Sequence, residues 1–142
     1  MSTVRELLTR RPVTLWHVHP DDSVYAAIKL LAEHAVGALL VMNRGKLVGI
    51  VSERDYTRKV ALQGRNSKET RVSEIMTANV IVVAPSTSTR DAMVLMSEKK
   101  IRHLPVLDEG IVVGIISIRD IMDDIIADHE LTIAQLESYI HS

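Results

Sequence analysis

Shifted by 65 residues, this chain of 142 residues aligns with itself without a gap. Val18 meets Val83, Pro20 meets Pro85, Ser23 meets Ser88 and Ala27 meets Ala92. Further on, Leu39 meets Leu104, Val41 meets Val106 and Gly49 meets Gly114. The densest match pairs Gly-Lys-Leu-Val-Gly-Ile-Val-Ser-Glu-Arg-Asp, residues 45–55, with Gly-Ile-Val-Val-Gly-Ile-Ile-Ser-Ile-Arg-Asp, residues 110–120. A duplicated chain builds one unit twice and must cover the face each unit leaves open. A unit of about 45–50 residues is marginal alone. The two are therefore expected to pack against each other with a pseudo-two-fold relation and a cleft at the seam, a common place for ligands.

Each unit reads strand–helix–strand–strand–helix. In the first, the β-branched run 13–18 is a strand. Asp21-Asp22-Ser23 then opens a helix to about His34, with Val24, Ala27, Ile28 and Leu31 on one stripe. Gly37 reads as its breaker. Strands follow over 38–42 and 47–51, joined by a three-residue turn, Asn43-Arg44-Gly45, with Gly45 left-handed. Ser52 opens a helix to about Leu62, which Gly64 closes. The second unit repeats this with strands over 80–83, 104–107 and 111–116, a helix after Pro85 and another from Ser117. Thr3 to Thr9 reads as a short capped helix, 65–71 as a linker, 72–76 as a helical turn and 132–139 as a separate terminal helix. The expected class is α/β (α+β). Units span 12–64 and 72–127 and pack sheet to sheet, with terminal helices in 1–11 and 128–142.

Composition narrows the function. Hydrophobic residues make up 46% of the chain but aromatic residues only 3%, so the core must be aliphatic. The net charge of −1 lacks the basic excess expected of a nucleic-acid binder. With no cysteine, thiolate metal sites and disulfides are excluded. No apolar stretch reaches the ~18 residues of a membrane span, and the charged residues near the N-terminus do not resemble a secretory signal. A cytoplasmic location is the expectation. No Ser-His-Asp set, catalytic carboxylate pair or phosphate-transfer loop is evident, so the chain is not expected to be an enzyme. His17 and His19 share a strand face, but two imidazoles without a third ligand are weak grounds for a metal site.

The chemistry concentrates at the two strand-to-helix junctions, Ser52-Glu53-Arg54-Asp55 and Ser117-Ile118-Arg119-Asp120. A serine and an aspartate three residues apart fit a capping box. Capping leaves Arg54 and Arg119 unexplained, because a cation in the first turn opposes the helix dipole. A phosphate-bearing ribonucleotide would use the whole set. Free backbone N–H groups and an arginine attract phosphate, and a carboxylate accepts from ribose hydroxyls. Arg58 adds a later cation in the first unit, and Arg102-His103 adds a basic pair in the second.

The order of elements, the paired Gly-x-x-x-Gly-Ile-hydrophobic-Ser-x-x-Asp segments, Arg-His-Leu-Pro-Val at 102–106 and Ile-Met-Thr at 75–77 together resemble a tandem cystathionine-β-synthase (CBS) domain pair, or Bateman module. The resemblance covers about residues 12–127, so a stand-alone pair without a fused catalytic domain is the expectation. It implies β-α-β-β-α repeats and a cleft that binds adenosine nucleotides (AMP, ADP, ATP or NAD(H)). It places ribose recognition on Asp55 and Asp120 with Ser52 and Ser117 beside them. It implies adenine packing along 14–18 and 80–83, and phosphate contacts from basic residues at the place of Arg102 and His103. In the family the order His-Arg is better known than Arg-His, so both remain candidates for that contact. Two unequal sites are expected.

The resemblance also implies a homodimer of four repeats in a flat disc, acting on a regulated enzyme or transporter and needing no catalytic cofactor. The apolar sides of the terminal helices, Leu7-Leu8 and Ile133, Leu136 and Ile140, are expected to extend that interface. The alternative is a structural docking module with no nucleotide dependence.

Overall fold

The computed structural model describes residues 2–10 and 15–141. In chain order it contains α1 (Val4–Arg10), β1 (His17–Val18), α2 (Val24–His34), β2 (Ala38–Asn43), β3 (Lys46–Ser52), α3 (Glu53–Tyr56), a π-helical turn (Thr57–Ala61), α4 (Val72–Ile75), α5 (Thr89–Lys99), β4 (His103–Asp108), β5 (Ile111–Ser117) and α6 (Ile118–His141). The duplicated sequence yields duplicated local structure. Ser23 and Ser88 cap α2 and α5, their hydroxyls accepting from the N–H groups of Ala26 and Asp91 at 3.1 and 3.0 Å. Both hairpins turn on two residues, Arg44-Gly45 and Glu109-Gly110, all four with positive φ. That is the tight primed turn matching strand twist, one residue shorter than the sequence suggests.

The sheets differ. In the first repeat β1 runs parallel to β2, which pairs antiparallel with β3. In the second, β4 and β5 form a two-stranded sheet, and the expected strand over 80–83 reduces to a single parallel bridge, Val83 to Val106. The cause is one residue. Leu40 donates its N–H to the Trp16 carbonyl at 3.3 Å and so continues the ladder. Its counterpart is Pro105, which has no N–H to offer the carbonyl of Ile81.

Two aliphatic cores result, and each includes a helix from outside its repeat. The first gathers Val18, Leu31, Leu39, Val41 and Val51 with Val72 and Ile75 of α4. The second gathers Ala92, Met96, Leu104, Val106, Ile116 and Ile121 with Val4 and Leu7 of α1. So α1 belongs with the second repeat, not with an independent terminal segment. Its N–H groups at Val4 and Arg5 donate to the carbonyls of Thr87 and Pro85 at 2.8 and 2.9 Å. In the same way Val72 and Ser73 donate to Asp22 and Pro20. The segments Val4-Arg-Glu-Leu-Leu-Thr9 and Val72-Ser-Glu-Ile-Met-Thr77 are thus a further pair of copies. Leu8 and Met76 press on Gly114 and Gly49, where a Cβ would lie 2.6 Å from either side chain. Glycine at both places is the condition for helix and strand to touch.

The separate terminal helix over 132–139 does not exist. Helix α6 runs unbroken from Ile118 to His141. Nothing in 121–141 is a glycine or proline, so no residue interrupts it. The part of the expected first strand at 13–14 lies outside the described residues. No helix among the described residues is long and apolar enough to cross a membrane.

Candidate functional site

Both junctions fold as the capping reading requires. The Ser52 N–H and hydroxyl both donate to Asp55 Oδ2, at 2.9 and 3.1 Å, and the Asp55 N–H donates to Ser52 Oγ at 3.2 Å. Ser117 and Asp120 repeat the exchange at 2.8 and 3.1 Å. The expectation of free N–H groups for phosphate needs correction. Besides the Asp55 and Asp120 donors, the N–H of Glu53 is taken by the Gly37 carbonyl at 3.1 Å and that of Ile118 by the Arg102 carbonyl at 2.9 Å. Strand pairing thus continues into the first helical residue of each junction and takes that N–H group.

At the first junction side chains from both repeats converge. A cavity of about 500 Å³ lies in the seam between the repeats. Its first-repeat wall is Gly37, Ala38, Ile50, Ser52, Glu53, Arg54 and Asp55. The opposite wall comes from the segment before β4 and the leading segment of the second repeat: Lys100, Ile101, Arg102 and His103, with Thr77, Asn79, Val80 and Ile81. The volume suits a small-molecule ligand. Three basic side chains, Arg54, Lys100 and Arg102, face two acidic ones, Glu53 and Asp55, so the cavity favours an anion that also carries hydroxyl donors. Val80 and Ile81, ahead of the bridge at Val83, form an aliphatic wall.

Arg54 now has a structural explanation. Its Nη1 donates to the Lys100 carbonyl at 3.3 Å, across the seam. Lys100 is the left-handed residue that ends α5, with φ of 55°. The arginine that opposes its own helix dipole therefore caps the other repeat's helix. The Asp55 carboxylate is only 14% exposed. While Oδ2 serves the cap, Oδ1 lies 3.2 Å from the Lys59 ammonium one turn on.

His103 connects the two junctions. Its ring packs on Gly37, where a Cβ would sit 3.2 Å from Cε1. It lines the Asp55 cavity, and burial together with the Arg102 charge holds its pKa below the usual imidazole value, against a smaller upward pull from Asp120. Gly37 therefore accommodates a ring; it does not end α2, which stops at the left-handed Ala35.

Of the nine residues singled out by sequence, Ser52, Arg54, Asp55, Arg102 and His103 meet in this cavity. Arg58 is exposed in the π turn and does not line it. Ser117, Arg119 and Asp120 form the second junction but line none of the three described cavities. The counterpart of Thr77 on that side is Thr9, and that of Asn79 lies outside the described residues. Sequence reasoning missed Thr77 and Asn79. Lys100 belongs to the basic run 99–103, which reads either as a helix C-terminus or as phosphate attraction, and its place in the cavity follows from the left-handed turn. Among the described residues no cluster of three or more His, Cys, Asp or Glu side chains is arranged for a metal.

Known proteins share this architecture. The sequence model of the CBS domain matches residues 4–62 and again 72–127. The mitochondrial CBS domain-containing protein CBSX3 of Arabidopsis thaliana is 42% identical over 125 residues, which cover 84% of this chain and 61% of that protein. The CBS domain-containing protein YhcV of Bacillus subtilis is 35% identical over 85% of this chain and 84% of its own length. A CBS-domain protein of known structure from Burkholderia ambifaria superposes with a TM-score of 0.87 at 53% identity, covering 89% of this chain and 96% of that one. The CBS domain pair of protein MJ0100, solved with 5′-methylthioadenosine and S-adenosyl-L-methionine, superposes at 0.79 with 28% identity over 90% and 98% of the chains. With both repeats matched, the same pair of small sheets and the same doubled junction, this chain belongs to the CBS-domain family as a tandem pair.

Proposed function

We propose that the chain is a regulatory module that binds an adenosine nucleotide (AMP, ADP, ATP or NAD(H)) in the seam at Asp55. The observation that carries this reading is the cavity itself. The Asp55 carboxylate, the group this reading gives to the ribose, lies beside Arg54 and opposite Lys100, Arg102 and His103, with an aliphatic wall at Val80 and Ile81 for a base. The two adenosine-bearing ligands of the MJ0100 domain pair support the ligand class. In this reading Asp55 and Ser52 hold the sugar and the basic group holds phosphate. The second junction, with Ser117, Arg119 and Asp120, is a weaker site. The ligand regulates by binding one arrangement of the repeats, or of two protomers, better than another. No step of catalysis and no catalytic cofactor is part of the proposal, and a cytoplasmic location goes with it.

Calorimetric titration with AMP, ADP, ATP and NAD tests it. Binding should be lost in the double variant Asp55→Ala, Asp120→Ala, and binding that survives both substitutions would refute the assignment.

A second reading, docking without nucleotide dependence, has its own observation. Helix α6 leaves Met122, Ile126, Ile133 and Leu136 more than half exposed, on one side of the helix. This stripe suits a homodimer or a partner enzyme or transporter, and a structural neighbour, the cyanobacterial CBS-CP12 protein, is hexameric. A nucleotide that binds only the folded state raises the melting temperature. A flat response to adenine and guanine nucleotides would favour docking.

A further inference from the structure

Asp55 is not free to take a ribose. Its Oδ2 is held by the backbone and hydroxyl of Ser52, and its Oδ1 by Lys59 at 3.2 Å. The capping contacts cannot be given up without unwinding the start of α3. The lysine can leave, since its side chain is 43% exposed and the ammonium can pass into water. Lys59 also donates to the Ile75 carbonyl at 2.8 Å, at the last residue of α4. Two residues on, Thr77 pairs with Ile50 and lines the cavity beside Asn79 and Val80. The cation paired with Asp55 Oδ1 thus also holds the end of α4, two residues before Thr77 of the cavity wall.

We propose that Lys59 is a latch on this site, and so a specificity-determining residue. Lys59 does not itself line the cavity, but a ligand that bonds to Asp55 Oδ1 competes with its ammonium for that oxygen, which a pair of adjacent ribose hydroxyls can do and a sugar lacking them cannot. Displacement also releases the Ile75 carbonyl, so occupancy of the cavity is reported to α4 and to the core it packs on. The residue at the corresponding place in the second repeat is Asp124, an acid engaged with Arg10, so no lysine stands at that position relative to Asp120. The inference rests on the nucleotide reading above.

The test is titration of wild type and Lys59→Met with AMP and with 2′,3′-dideoxy-AMP. Removing the latch should tighten AMP by roughly twofold to fivefold, the worth of an exposed ion pair, and leave the dideoxy compound unchanged. Lys59→Arg, which keeps a cation at that position, should not gain. A Lys59→Met protein that binds AMP equally or more weakly, while wild type binds it, overturns the latch alone. The same holds if both compounds gain equally. If neither protein binds any of AMP, ADP, ATP or NAD, the nucleotide reading falls and takes the latch with it. A folded Lys59→Met protein is confirmed by its melting transition, and Lys59→Gln replaces it if that transition is lost.

Discussion

The two repeats begin from nearly the same template and end differently. The first has a three-stranded sheet and a short last helix that loosens into a π turn. The second has a two-stranded sheet and a last helix of 24 residues. Leu40 against Pro105 accounts for the sheets. Lys59 against Asp124 separates the ways the helices are tied. Lys59 bonds the end of α4, whereas Asp124, at 4% side-chain exposure, pairs with Arg10 at the end of α1. In both repeats this position fastens the last helix to the opening helix packed on the same core. In the first repeat the fastening also touches Asp55, which lines the cavity. Duplication supplied the position, and single substitutions then gave one copy a lock on the fold and the other a lock on the cavity.

The sharpest break of this comparison is Arg10→Ala. It strands a buried carboxylate, and although Arg10 is half exposed, a loss of about 2–4 kcal/mol is expected in urea unfolding. Lys59→Met leaves a carboxylate that is 14% exposed and still held by Ser52, and should cost no more than about 1 kcal/mol. Equal losses would show that the two ties are equivalent. Next come the glycines beneath the opening helices. Gly114→Ala drives a Cβ into the branched end of Leu8, with three side-chain atoms within 3.3 Å. It should cost about 1–3 kcal/mol by overpacking. Gly49→Ala meets the more pliable Met76 thioether at 2.6 Å and should cost less.

A smaller effect is expected from pH. His103 has a lowered folded pKa, so the folded protein favours the neutral ring. That contribution to stability is present above the unfolded value of about 6.5 and is lost as pH falls from there through the folded value. Melting temperatures between pH 7.5 and 5.5 should fall more steeply in wild type than in His103→Gln. A bound phosphate would reverse the preference, so AMP affinity should rise as pH falls over the same range. The smallest effect concerns helix ends. Ala35 and Lys100 both end their helices with positive φ. Ala35→Gly should stabilise by about 0.5–1 kcal/mol. Lys100→Gly should give the same gain in stability but weaken AMP, because only Lys100 lines the cavity.

Much of this was legible in the residues. Ser52 with Asp55 and Ser117 with Asp120 announced their caps, and Gly45 and Gly110 their hairpins, because those interactions close within four residues. The reading failed where a distant partner intervened. Gly37 looked like a helix breaker and is a seat for His103. Arg54 looked like a phosphate ligand alone and is also a cap for Lys100, 46 residues away. The first strand of the second repeat looked intact because nothing local shows that Pro105 must face Ile81.

The sequence alone determined that there would be two alike units, where their elements begin and that an acid and a serine would meet at each junction. Those follow from periodicity, turn chemistry and short-range hydrogen bonds. Only the tertiary structure decided that α1 and α4 would each complete the core beside β5 and β3, with Leu8 on Gly114 and Met76 on Gly49. It alone brought Asp55, Arg54, Lys100 and His103 to one cavity and put Lys59 on guard there. Contacts across the seam depend on which buried surfaces fit, and fit between distant segments leaves no period in a sequence.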